Sequence, residues 1–164
     1  KIDDIYSSPM LRAIQTAEII STKKKIIIDD RLKEIDYGLA EGLNYNELHH
    51  GFPNIIEDWK NKKDICFPDG ENTKDVLNRL KSFLKFLQKD LSENKKSQIG
   101  IVSHNVILRC LIGLFYKIDL TNWHKLIIPH GKVLEFQFKN NYFYPNLDRS
   151  LLQSIMKNIA FKVK

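Results

Sequence analysis

The fold is indicated most directly by residues 5–28, which read IYSSPMLRAIQTAEIISTKKKIII. The part that ends at Ser7 is typical of a short strand, and Ser8-Pro9 predicts a helix start with serine as N-cap and proline at the first helical position. Apolar side chains then recur at helical spacing as far as about Ser21. The three isoleucines at 26–28 are typical of a strand that is covered on both faces. This stretch therefore predicts a strand–helix–strand unit, the building block of an α/β fold.

The following residues continue this alternation. Residues 29–67 have no strong periodicity and are broken by glycine and proline, so loops and short helical pieces are expected there. Asn72 can cap a long helix whose apolar stripe packs on a sheet. Residues 99–103 predict a strand, and residues 106–116 predict a helix that is apolar on nearly every side and therefore largely buried. The expected fold is a three-layer α/β/α sandwich with a mostly parallel central sheet.

The C-terminal part is expected to add a hairpin and a helix. Residues 133–138 alternate in polarity, Asn140-Asn141 is a plausible hairpin turn, and residues 142–144 can return as an edge strand. Apolar residues at helical spacing predict a C-terminal helix within residues 147–164. No repeat or low-complexity linker divides the chain, so residues 1–164 are expected to form a single domain.

The composition of the chain narrows its possible binding partners more than it narrows the reaction it could catalyse. The formal net charge is +6, but the basic residues are scattered without interleaved aromatics, so no nucleic-acid partner is expected. No apolar run approaches the roughly 18 residues of a membrane span and no signal-peptide pattern occurs, so no membrane partner is expected either. Cys66 and Cys110 lie in apolar surroundings without metal-ligand spacing. They are expected to be buried free thiols in a reducing, cytoplasmic compartment.

Two predicted strand-to-helix junctions carry residues that could do chemistry. Arg12 lies in the opening turn of its helix, where a cation opposes the helix dipole; a bound anion would explain this placement, and a solvent-exposed arginine is the alternative. His104 comes just before the apolar helix, where it could donate to a phosphoryl oxygen or serve as a structural histidine. Arg109 is the single charge in that helix and must have a partner. A structural ion pair is favoured over a phosphate.

Two glycine-containing acidic loops lie between these junctions, in residues 31–42 and 68–71. Taken in order, the motifs are Ser-Pro-x-x-Arg-Ala-x-Gln-Thr-Ala, Leu-x-Glu-x-x-Tyr-Gly-x-x-Glu-Gly, Pro-x-Gly-Glu and an apolar strand that ends in Ser-His. This series resembles the histidine phosphatase (phosphoglycerate mutase-like) superfamily motif by motif, from about Ile5 to Phe138. The stretch from His104 to Phe115 looks particularly like the fructose-2,6-bisphosphatase branch.

The resemblance implies roles for individual residues. In that family a neutral histidine attacks the phosphoryl group, water hydrolyses the phosphohistidine, and arginines with a second histidine stabilise the charge. By position, Arg12 looks like a phosphate-binding arginine, His104 the second histidine, and Glu34 the acid/base, with Glu41 as its rival. Three further residues are candidates for substrate binding. Glu71 resembles the acidic residue that ends the family's Gly-Glu motif, and Asn105 stands where many relatives carry glycine. His130 lies in a run that resembles a loop near the site in mutase-like relatives, with an ordinary exposed turn residue as the alternative. The resemblance implies a small phosphorylated substrate, no metal and no cofactor, and it leaves the oligomeric state open.

The resemblance also predicts a catalytic motif that residues 1–164 lack. The family's nucleophile lies in an Arg-His-Gly tripeptide after a first, central strand, and residues 1–164 do not contain that tripeptide. We therefore expect an N-terminally incomplete chain with its first strand missing, a gap in the core and no phosphohistidine of its own. Only 25 residues, 43–67, separate Gly42 from Pro68. This segment is short compared with the long insertion of cofactor-dependent phosphoglycerate mutases, so a phosphatase is favoured over a mutase. A non-catalytic relative that binds phosphate esters is the alternative from another class.

Overall fold

The computed structural model describes residues 2–61, 63–94, 96 and 98–159. The strands are β1 (Asp4–Ser7), β2 (Ile26–Ile28), β3 (Ile99–Val102), β4 (Phe136–Lys139) and β5 (Tyr142–Pro145). The α-helices are α1 (Leu11–Ser21), α2 (Tyr45–Gly51), α3 (Pro53–Lys60), α4 (Thr73–Asn94), α5 (Asn105–Phe115) and α6 (Arg149–Met156). Short 3₁₀ turns span Asp30–Leu32, Gly38–Ala40 and Leu120–Lys125.

A three-stranded parallel sheet organises the fold, in the order β2-β1-β3. Tyr6 of β1 lies between Ile27 and Ile101 of the two neighbouring strands. Parallel neighbours need crossover connections, and α1 supplies the one between β1 and β2. Strands β4 and β5 form a separate antiparallel hairpin. The α/β class predicted from the alternation of strands and helices is therefore confirmed.

Helix α4 covers one face of the parallel sheet, as its apolar stripe predicts. Tyr6 packs with Phe83 and Leu87 of the helix in one buried cluster. The Tyr6 hydroxyl donates to Asp90 at 2.6 Å, and Lys96 lies 2.6 Å from the same carboxylate. Burial raises the pKa of Tyr6 to about 12, so this phenol stays neutral. The end of α4 is thus bound to the central strand by apolar and polar contacts together.

The second core cluster joins α4, α5 and α6. Val76, Ile107, Cys110 and Ile155 are among its fully buried side chains. Gly113 of α5 lies against the ring of Trp123, whose Nε1 donates to a backbone carbonyl at 2.9 Å. This cluster fixes α5, and with it the residues at the start of that helix.

Several expectations need correction. The N-cap of α1 is Met10 and not Ser8, because the helix begins at Leu11 and the Ser8 hydroxyl contacts the Met10 N–H and the His104 ring. Strand β2 lies at an edge of the described sheet, so Ile28 is exposed rather than covered. Cys110 is a buried free thiol as expected, but Cys66 is exposed. The predicted C-terminal helix is shorter than residues 147–164, and residues 160–164 lie outside the described part.

Within the described residues, no helix has both the length and the apolar character that crossing a bilayer requires.

Candidate active site

The two strand-to-helix junctions that carry Arg12 and His104 lie side by side, because β1 and β3 are adjacent parallel strands. Parallel strands bring their carboxyl ends to the same edge of the sheet, which is where α/β folds bind ligands. The Ser8 backbone N–H donates to the carbonyl of Val102 at 3.0 Å. The Ser8 hydroxyl lies 2.8 Å from Nε2 of His104. These two contacts join the β1–α1 turn to the start of α5.

His104 is buried at this junction, with 7% of its surface exposed. Its pKa is lowered to about 4, chiefly because burial disfavours the charged ring, and secondly because the cations Arg12 and Arg79 face it. The imidazole is therefore neutral at pH 7 and carries a single N–H. A neutral histidine can donate to an anion without bringing a counter-charge of its own.

The Glu34 side chain also reaches the first turn of α5. Its carboxylate accepts from the Val106 N–H, at 3.2 Å and 3.4 Å for the two oxygens, and from the Ile35 N–H at 3.1 Å. The free N–H groups and the positive end of a helix dipole favour a negative charge there. Glu34 and His104 thus lie at one helix N-terminus, which forms the centre of the site.

The backbone around Glu34 is held by Arg79, a residue that the sequence patterns did not single out. Arg79 donates to the carbonyls of Arg31, Lys33 and Glu34 at 2.8, 2.7 and 3.1 Å. It also pairs with Glu71 through Nε and Nη2, at 2.7 and 2.8 Å. One signal was available: Arg79 is the single arginine on a helix whose other cations are lysines, and a planar fork suits several acceptors at once.

Glu71 joins the two acidic loops to each other. Besides pairing with Arg79, its carboxylate accepts from the Asp36 N–H at 3.0 Å, and its own N–H donates to the Asp36 carbonyl at 2.8 Å. Gly38 is required at this junction, because its φ is +51° and an added Cβ would lie 2.0 Å from the Pro68 carbonyl oxygen. In the structure Glu71 is thus engaged with protein groups.

The remaining candidates lie around this centre. Arg12 is exposed, and its charge faces His104. The Asn105 amide donates to the carbonyl of Ile128 at 3.3 Å, which ties α5 to the segment that precedes His130. His130 itself is exposed beside Gly131 in a turn. Glu41, the rival for the acid role, is exposed in a loop.

Two cavities lie in this part of the structure, and Glu34 lines one of them. An open cleft of about 220 Å³ is lined by Glu34 together with Asp30, Lys33, Asp36, Glu71 and Arg79. A second cavity of about 160 Å³ begins at Val106, whose N–H binds Glu34, and continues past Tyr37, Thr73 and Arg109 to His124. The Glu34 residue thus lines the open cleft, and its hydrogen-bond partner Val106 lines the second cavity.

The expected ion pair of Arg109 is wrong within the described part of the chain. Its Nε is buried without a hydrogen-bond partner there. The reason is geometric: the Arg109 side chain lines the second cavity. The guanidinium is thus left to interact with whatever occupies the cavity.

The described arrangement is chemically suited to an anion. It combines two arginines whose charges reach His104, a neutral imidazole and a carboxylate held at a helix N-terminus. Such groups can stabilise charge that develops on a bound oxyanion and transfer a proton beside it. No group of three or more His, Cys, Asp or Glu side chains in the described ranges is placed to hold a metal ion.

These features describe an α/β domain with a candidate anion site at the carboxyl ends of its parallel strands. The family model of the histidine phosphatase superfamily (branch 1) matches residues 1–147. The chain therefore belongs to the histidine phosphatase superfamily, as the four ordered motifs predicted.

Two curated relatives illustrate the range of that family. Over 125 residues the chain is 32% identical to phosphoserine phosphatase 1 of Hydrogenobacter thermophilus, covering 74% of this chain and 58% of the relative. Over 126 residues it is 29% identical to 6-phosphofructo-2-kinase/fructose-2,6-bisphosphatase of Caenorhabditis elegans, covering 76% of this chain and 26% of that protein. The chain thus spans little more than half of the first relative and about a quarter of the second.

Solved structures share the fold. YhfR of Bacillus stearothermophilus superposes with a TM-score of 0.77 at 25% identity, covering 90% of this chain and 74% of that one. The alpha-ribazole phosphatase from Shigella flexneri gives a TM-score of 0.75 at 20% identity, covering 90% of this chain and 73% of that one. At these identities the likeness concerns the phosphoglycerate mutase-like fold.

Proposed function

We propose that this protein is a cytoplasmic, metal-independent phosphatase that hydrolyses a small phosphorylated metabolite through a phosphohistidine. One observation carries the proposal: the β1–α1 turn, His104 and the Glu34 carboxylate converge on the N-terminus of α5. The names of its relatives support a phosphomonoester as the substrate class. Residues 1–164 contain no Arg-His-Gly tripeptide to supply the nucleophile, so the activity concerns the natural gene product.

In this proposal Arg12 and His104 stabilise the charge on the phosphoryl oxygens, and Glu34 protonates the leaving oxygen and then activates water. Glu34 is preferred to Glu41 because its carboxylate is bound at the same helix start that follows His104. Glu71 acts mainly by holding Arg79, although it also lines the open cleft beside Glu34. Asn105, the first residue of α5, and His130 are proposed as further contacts to the substrate.

We assign the non-reacting part of the substrate to the 160 Å³ cavity that Val106 and Arg109 line. The buried Nε–H of Arg109, which has no hydrogen-bond partner among the described residues, favours an acidic group at that end of the substrate, because a buried donor needs an acceptor. Tyr37 and Thr73 add a phenol and a hydroxyl to the same wall. The substrate class is therefore a small phosphomonoester that carries a second anionic group.

The first test is hydrolysis of p-nitrophenyl phosphate by the natural gene product in the presence of EDTA. We expect turnover without added metal, and a loss of roughly 100-fold or more when His104→Ala removes a transition-state donor. His50→Ala is the matched control, because His50 is exposed on α2. Full activity of His104→Ala would overturn the site assignment.

A second test separates the two acid candidates. Glu34→Gln keeps the shape of the side chain and removes its proton chemistry, so we expect kcat to fall roughly 100-fold or more. Glu41→Gln is expected to stay close to the original activity. The reverse pattern would transfer the acid role to Glu41.

A third test concerns Arg109. Arg109→Met removes a cation whose buried Nε has no hydrogen-bond partner among the described residues, so the free energy of unfolding is expected to stay unchanged or to rise. The KM for an anionic phosphomonoester is expected to rise while the KM for p-nitrophenyl phosphate changes little. A loss of stability with an unchanged KM would show that Arg109 is structural.

The same assays separate the alternatives. Binding of a phosphate ester without turnover by the natural gene product would favour a non-catalytic binding module. Transfer of the phosphoryl group between phosphoglycerates, rather than to water, would favour a mutase.

A further inference from the structure

The buried hydroxyl of Ser8 has a contact that its place in the Ser-Pro turn does not require. Ser8 is fully buried, and its Oγ lies 2.8 Å from Nε2 of His104. The same oxygen accepts a hydrogen bond from the Met10 N–H at 3.3 Å. A hydroxyl has one proton to donate and two lone pairs to accept with. The position of that proton decides which nitrogen of His104 is protonated.

The protons at this contact can be assigned from the geometry. The Met10 N–H can only donate, so it occupies one lone pair of the Ser8 oxygen. If Nε2 also carried a proton, the Ser8 hydroxyl would accept twice, and its own proton would face no other acceptor in the described part of the chain. A buried donor without an acceptor is unfavourable. When the hydroxyl donates to Nε2 instead, every group at the contact is satisfied.

The second ring nitrogen then carries the proton. Because His104 is neutral at pH 7, the ring holds one N–H, and it lies at Nδ1 when Nε2 accepts. None of the described residues forms a hydrogen bond with Nδ1. This N–H is therefore free to donate to a ligand. In the opposite tautomer Nδ1 would offer a lone pair, which repels the lone pairs of an oxyanion.

We propose that Ser8 is a positioning residue that holds His104 in the Nδ1–H tautomer, so that Nδ1 presents a donor to the bound anion. The identity of that anion as a phosphoryl group rests on the proposed function, whereas the tautomer does not. Ser8 acts through His104 and does not itself contact the substrate.

The tautomer can be measured directly by long-range ¹H–¹⁵N NMR on the 164-residue chain labelled with ¹⁵N-histidine at pH 7. His104→Gln identifies the signals of His104 among the five histidines. We expect a protonated Nδ1 and an unprotonated Nε2, with the Nδ1–H form in roughly tenfold excess or more. A dominant Nε2–H form in the unaltered chain would overturn the proposal, whatever the variants do.

Two variants test whether Ser8 is the cause. Ser8→Ala removes the hydroxyl, and we expect the Nε2–H population to rise at least several-fold. Ser103→Ala is the matched control, because the Ser103 hydroxyl donates to the Leu32 carbonyl at 2.8 Å and not to the His104 ring. Far-ultraviolet circular dichroism establishes that each variant is folded. An unchanged tautomer in folded Ser8→Ala would overturn the role of Ser8.

Titration of the natural gene product with inorganic phosphate, followed by the same NMR signals, distinguishes this proposal from the proposed function. A phosphate-dependent shift at Nδ1 of His104 would support both. A dominant Nδ1–H tautomer that does not respond to phosphate would support the assignment of Ser8 and contradict the phosphate-binding role of His104.

Discussion

Replacing Arg79 by methionine is expected to destabilise the fold through the loop that carries Glu34. The guanidinium makes two hydrogen bonds to the Glu71 carboxylate and three to backbone carbonyls of residues 31–34. The side chains of Arg79 and Glu71 are 17% and 25% exposed, so water can replace only part of this network. Methionine fills similar space on α4 but offers no donor.

The magnitude follows from what is left behind. Each hydrogen bond to a charged group contributes about 1.5–3 kcal/mol, but five bonds from one group are not additive, and water reaches some of the freed carbonyls. Leaving the Glu71 carboxylate unpaired adds a penalty, which partial exposure reduces. We expect Arg79→Met to lower the free energy of unfolding by about 3 kcal/mol. Arg79→Lys keeps the charge without the fork and is expected to cost about half as much.

Urea unfolding at pH 7, followed by far-ultraviolet circular dichroism, measures this loss. Lys81→Met is the matched control, because Lys81 is an exposed cation on the same helix, and its removal is expected to stay within about 0.5 kcal/mol. The double variant Arg79→Met/Glu71→Gln is expected to lose about 1–2 kcal/mol less than the sum of the single losses. If Arg79→Met costs no more than Lys81→Met, the network does not hold the loop.

Three further predictions concern other parts of the fold. The pKa of His104 is about 4 in the folded chain and higher when unfolded, so the unfolded chain binds the proton first as pH falls. The contribution of His104 is therefore expected to lower the free energy of unfolding by about 3 kcal/mol between pH 6.5 and 4. Urea titrations in which His104→Gln loses as much stability over this range as the unaltered chain would contradict this. Gly113→Ala places a Cβ 2.2 Å from the Trp123 ring, so the free energy of unfolding is expected to fall by about 1–3 kcal/mol, measured as a lower melting temperature. Helix propensity alone predicts a higher melting temperature. Asn140→Gly removes the side chain from a residue with a φ of +51° in the hairpin turn, and the free energy of unfolding is expected to rise by about 0.5 kcal/mol in the same thermal assay. A lower stability of this variant would argue against backbone strain at residue 140.

Much of the fold could be predicted from local signals. Asn72 caps α4 as expected, in a reciprocal pair with Asp75, because a cap needs only residues three positions apart. The hairpin forms at Asn140-Asn141, where both residues adopt positive φ. The exposure of Ile28 could not be predicted, because an apolar run does not show which strand lies at the edge of a sheet.

The site was predictable in part, for a related reason. His104 could be singled out because a polar residue between a strand and a buried helix is visible in one stretch of sequence. The contacts of Arg79 to residues 31–34 span more than 40 positions, and no local pattern reports them. Ser8 misled the prediction because serine before proline is a helix-cap signal, while its hydroxyl turns toward His104 from 96 residues away.

The contacts of residue 34 couple the stability of the fold to the geometry of the site. Its carbonyl accepts from Arg79 at 3.1 Å, while its carboxylate accepts from the Val106 N–H at 3.2 Å. One residue is thus fixed to α4 through its backbone and to α5 through its side chain. A shift of about 1 Å in the loop would break the second contact, because hydrogen bonds weaken steeply beyond about 3.5 Å. Substitutions that weaken the contacts of Arg79 are therefore expected to displace the proposed acid while the chain is still folded. The proposed activity should then be lost under conditions in which the fold is still intact.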